Sequence, residues 1–118
     1  MSMDLSEREA AGHCDHWLGM AADCARAAVT DMRAPLRVVP ALKCAQEAAR
    51  GIGLLRSDER WLSVARGLQP LIDLGQPKGW RPYDLRWAQM GAHLDRVRAL
   101  VVREFGAART GAVQVVSR

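Results

Sequence analysis

Apolar residues that recur every three or four positions constrain this chain more than anything else in it. The clearest series runs Tyr83, Trp87, Met90, Leu94, Val97, Val101 and Phe105. Such spacing places every member on one face of an α-helix but scatters them over both faces of a strand, so it selects helix. Pro82 suits the first helical position and Asp84 the first turn. A helix that opens at Pro82 and carries this stripe through Phe105, losing its period only after Gly106, is therefore expected, with Tyr83 and Trp87 as its first two core residues. Ala88, Ala92, Ala99 and Val102 form a second apolar flank, so neighbours are expected to wrap most of this helix. Outside remains a strip of Arg86, Gln89, His93, Arg96, Leu100 and Arg103.

Three more segments carry the same period. In the first, Ser6 with Glu9 reads as a capping box and Leu5 as a staple. Its stripe is Cys14, Trp17, Leu18, Ala21, Cys24, Ala25, Ala28, Val29 and Met32, expected to run to Arg33 and to stop at Pro35. In the second, Val38, Leu42, Ala45, Ala49 and Ile52 surround Pro40, which either starts or kinks the helix. The third takes Ser57 as N-cap, with Trp61, Val64, Ala65, Leu68, Leu71 and Ile72 inward, Pro70 bending its last turn and Gly75 ending it.

The expected fold is thus all-α: a four-helix antiparallel bundle with two long helices, the first and fourth, and two shorter ones. The long pair spans about 39–41 Å and the short pair about 24 Å. Residues 1–108 form the single domain. Residues 109–118 lose the helical period and read as a flexible tail, in which Val113–Val116 could order against a partner. Uncovered ends of the long helices point to a second copy of the chain or another protein as partner.

Composition removes other classes. The 118 residues suffice for one unstapled core. Cys14, Cys24 and Cys44 are odd in number and lack a CxxC, which speaks against disulfides and zinc. No apolar run nears the roughly 20 residues of a membrane span, and the acidic start is neither a signal nor a transit peptide. A cytoplasmic protein with no membrane partner is expected. The net charge is +4, with Arg outnumbering Lys fifteen to two, a bias that a GC-rich genome also produces.

Few constellations suggest chemistry. His13 and His16 lie three apart, but Cys14 points into the core stripe and His16 away from it, so no metal or other cofactor is expected. Arg86 and His93, with six residues between them, satisfy the Arg-to-His spacing of HEPN-type helical ribonucleases. Arg8 and His13 satisfy it too, and Trp87 stands where those enzymes usually carry a polar residue, so no resemblance is claimed. Walker, GxGxxG and GxSxG motifs are missing. Asp95 is expected in a structural ion pair with Arg98 or an arginine of another helix.

What remains is charge. Lys78, Trp80 and Arg81 precede the fourth helix, and Arg86, His93, Arg96 and Arg103 run along about 26 Å of it. Arg37, Lys43 and Arg50 make a second row. The expectation is a non-enzymatic regulator, adaptor or inhibitor whose basic strip meets an acidic macromolecule. The alternative is a nucleic-acid-backbone-binding subunit of a nucleoprotein complex, and a ribonuclease using Arg86 and His93 ranks third. Trp80 is the residue to watch: buried it caps the core, exposed it belongs to a partner site.

Overall fold

The computed structural model of the chain describes residues 2–74 and 80–106. Over these residues the fold is all-α, four helices packed together, with no strand among the described residues. α1 spans Ser2–Ala27, α2 Pro35–Arg56, α3 Glu59–Leu74 and α4 Arg86–Val101. α4 continues into a π-helical turn, Val102–Gly106. Contacts of α1 with α4 pair residue 26 with 95 and residue 15 with 98, and contacts of α2 with α3 pair 53 with 62 and 46 with 69. Between α1 and α2, residue 7 meets 56 and residue 14 meets 45, so α1 with α2, α2 with α3 and α1 with α4 all run antiparallel, as expected.

α1 is the centre of the assembly. It packs along α2 and along α4, and α2 packs along α3, while α3 and α4 make no comparable approach. Small residues permit the close contacts. Ala11, Ala21, Ala22, Ala25 and Ala28 of the α1 segment are buried, as are Ala41, Ala45 and Ala49 of α2. Cys14 Sγ donates to the Ala45 carbonyl across this seam at 3.4 Å. On the other side, a Cβ at Gly91 would stand 3.2 Å from the Ala22 carbonyl oxygen, so α1 and α4 approach to backbone distance. The large side chains Trp61 and Trp87 are fully buried.

The helix boundaries differ from expectation in ways that side-chain chemistry explains. α1 begins at Ser2, so Ser6 lies within the helix rather than capping it. α1 also ends at Ala27, not Arg33. Asp31 breaks the run: its Oδ1 accepts the Arg33 amide at 2.8 Å, offering the backbone a turn in place of a helical bond. Met32, expected in the core, is consequently exposed. Pro35 is the first residue of α2, and Pro40 lies inside it on the exposed side. α2 is thus 22 residues long, about 33 Å rather than 24 Å, while α4 has only 16, so the long helices are the first and second and not the first and fourth.

Ser57 is not the N-cap of α3. It ends α2 in a left-handed conformation, φ 52°, and Asp58 takes over, its Oδ1 accepting the Arg60 amide at 3.0 Å. With two helices joined back to back, the C-cap claims one residue and the N-cap the next. Pro70 sits inside α3, which continues to Leu74, while Gly75 lies outside the described residues, as does the tail from residue 107.

Candidate functional site

The approach to α4 departs most from the expected pattern. The helix starts at Arg86, four residues after Pro82. Asp84 Oδ1 accepts the Arg86 amide at 2.9 Å and so fixes that start. Tyr83 is not a core residue: it stands 56% exposed at φ 71°. Its backbone is held by an N–H bond to the Ala28 carbonyl at 2.8 Å, which turns the side chain's own segment out of helix geometry.

Trp80 takes the inner place instead. It is half-buried against the core, edge-on to Trp87 with ring centroids 5.4 Å apart. Trp87 in turn donates its indole N–H to the Arg81 carbonyl at 2.8 Å. Trp80 therefore caps the core. The Arg86 guanidinium lies 4.8 Å over its ring and binds both Asp84 carboxylate oxygens. That hydrogen bonding holds the Asp84 carboxyl below the usual carboxylate range. Arg86 is thereby taken up by its own turn.

The other strip residues fare differently. Lys78 lies outside the described residues. Arg81, His93, Arg96 and Arg103 are exposed, and among the described residues none of them forms an ion pair with a carboxylate. Elsewhere most arginines are paired. Arg26 bridges Asp23 and Asp95, Arg98 binds Asp15 at 3.0 Å, Arg60 meets Asp58 and Glu104, and Arg66 meets Glu59. Asp95 thus makes the expected ion pair, with both Arg26 and Arg98. Of the second row, Arg50 is paired with Glu47, and Arg37 and Lys43 are exposed.

The stand-off between α3 and α4 opens a groove of about 540 Å³ beside this strip. Val64 and Leu68 of α3 face Val97 and Leu100 of α4 across it. Arg60, Glu104 and Phe105 line one end, where the Phe105 ring stacks on Trp61 with centroids 3.7 Å apart. His93 lines the α4 wall, and Arg96 and Arg103 flank a shallower hollow on the other side of Leu100. Gly67 keeps the α3 wall low: a Cβ there would meet nothing within 4 Å.

The sequence did not reveal this groove. The flank Ala88, Ala92 and Ala99, expected under a neighbour, is exposed and Val102 only half-buried, because α4 has one close helical neighbour rather than two. Nor do the remaining candidates converge. His13 and His16 are both exposed, while Cys14 is buried with its thiol pushed up to about 12, first by burial and then by Asp15. No group of three metal-ligating side chains occurs among the described residues. No protein-family model, curated protein or solved structure matches this chain.

Proposed function

We propose that the protein is a small cytoplasmic interaction module that binds an acidic partner protein through the α3–α4 groove and the α4 arginines. One observation carries the reading: an apolar groove of about 540 Å³ lies beside two arginines left without carboxylate partners among the described residues. Its volume and apolar lining fall within the range of binding clefts. Apolar contacts supply affinity, and Arg96 and Arg103 steer and select an acidic partner. Arg86, spent on Asp84 and Trp80, contributes to the shape of the turn and not to the strip.

The test is capture by the tagged protein from nuclease-treated lysate of the source cells, compared with two variants. Gly67→Leu fills the groove from a position where a side chain meets open space. Arg96→Glu with Arg103→Glu reverses the rim. The proposal expects one acidic protein held by the wild type and lost from both variants. Capture that vanishes with nuclease supports the nucleic-acid reading instead, and capture unaffected by both variants removes the groove from the account.

A further inference from the structure

One end of the bundle carries large apolar side chains that the fold leaves outside. Leu36 and Leu85 are 75% and 74% exposed, Met32 62%. With Tyr83 they come from two segments: the connection from α1 into the first turn of α2, and the turn that leads into α4. The Tyr83 N–H bond to the Ala28 carbonyl pins the second segment to the first. Tyr83 occupies a left-handed backbone conformation that costs a bulky residue free energy, and it gains little burial in exchange. The bond to Ala28 holds this conformation, and with it the Tyr83 ring stays fixed at the surface rather than packed inward.

Arginines share this end. Arg33, Arg37 and Arg81 are exposed and make no ion pair among the described residues. Asp84 is paired with Arg86, whereas Asp31 accepts the Arg33 amide and keeps its charge, so in these two segments three unpaired arginines face one unpaired acid. A tip that combines projecting Leu, Met and Tyr with uncompensated arginine has the chemistry of a membrane–water boundary. Apolar groups enter below the headgroups, tyrosine prefers the boundary itself, and arginine reaches phosphate along its apolar stem.

We propose that this end of the bundle docks reversibly on an anionic lipid surface, with Leu36, Tyr83 and Leu85 inserted and Arg33, Arg37 and Arg81 against lipid phosphates. Side chains exposed to this degree project from the fold and do not line a cleft, which suits a flat, deformable surface better than a rigid protein partner. None of the described helices is long and apolar enough to cross a membrane, so the attachment is peripheral. The cytoplasmic leaflet carries the required negative charge. The α3–α4 groove, which runs away from this end toward Phe105, stays free.

Cosedimentation of the full chain with vesicles tests this. Vesicles mixing phosphatidylcholine and phosphatidylglycerol should carry the protein down at physiological salt, and vesicles of phosphatidylcholine alone should not. Removing one arginine, by Arg37→Gln or Arg81→Gln, should weaken binding about fivefold. Leu36→Ser with Leu85→Ser should abolish it, with thermal melting unchanged because both side chains are exposed. Arg96→Gln with Arg103→Gln should bind as wild type. The proposal is overturned if the mixed vesicles bring down no protein even at low salt. It is equally overturned if the serine variant binds as well as wild type, or if binding depends on Arg96 and Arg103.

Discussion

Replacing Phe105 with alanine tests the least expected join in the fold. Phe105 lies in the π-helical turn after α4, is 5% exposed, and stacks on Trp61 with 20° between the ring planes. Arg60 covers the ring at 5.0 Å. Because α3 and α4 otherwise stand apart, this stack ties the two helices at the end of the groove. Burying a phenylalanine side chain stabilises by about 1.5–3 kcal/mol, and the aromatic pair adds about 0.5–1.5 kcal/mol. Phe105→Ala should therefore cost about 3 kcal/mol, in line with Phe→Ala changes in other cores. A domain of this size has roughly 6–18 kcal/mol of stability, so the variant stays folded. Its urea midpoint should fall by about 1–3 M. Urea unfolding followed by tryptophan fluorescence measures this, and a double-mutant cycle with Trp61→Leu isolates the coupling. A loss below about 0.5 kcal/mol, or strict additivity in the cycle, refutes the docking of the turn.

Other outcomes follow from backbone and burial. Ser57→Gly should raise stability by about 0.5–1 kcal/mol, because glycine accepts the left-handed cap that serine adopts under strain; thermal melting reads it. Gly51→Ala, where a Cβ meets nothing within 4 Å, should stabilise α2 by up to about 1 kcal/mol. Gly91→Ala should gain nothing or lose stability, since its Cβ would stand 3.2 Å from the Ala22 carbonyl oxygen. Exposed Cys44 should react with a thiol reagent in the native protein while Cys14 does not. The Cys14 pKa, raised to about 12, also has a sign: above about pH 9 the unfolded chain gives up a proton that the folded one keeps. Stability is therefore unaffected by this group at neutral pH and falls as pH rises from 9 toward 12. Cys14→Ala should flatten part of that alkaline decline in melting temperature.

Periodicity made the bundle legible. Trp87, Met90, Leu94, Val101 and Phe105 are buried as their spacing requires, and so are Trp61, Leu68 and Ile72. Caps were less legible, because neighbouring candidates compete: Ser57 and Asp58 both suit an N-cap, and only the left-handed turn assigns them. Tyr83 failed for a related reason. It continues the stripe by spacing, yet Asp84 starts the helix beyond it and the Ala28 carbonyl holds its amide. A period also shows which face is covered but not how many helices cover it, so the α3–α4 groove was invisible. Which arginines are spent on carboxylates is likewise a tertiary fact. Arg86 looked like its strip neighbours and proved to be bound to Asp84, two residues away.

The most direct measurement is photocrosslinking in the source cells, with a photoreactive residue at Leu100 in the groove wall and a control at exposed Glu47 on α2. Leu100 is 38% exposed, so the probe can sit there without opening the core. The account predicts a protein adduct at position 100 that is absent at position 47, resists nuclease, and maps to an acidic segment of the partner. A nucleic-acid adduct at position 100, or equal labelling at both positions, would contradict it.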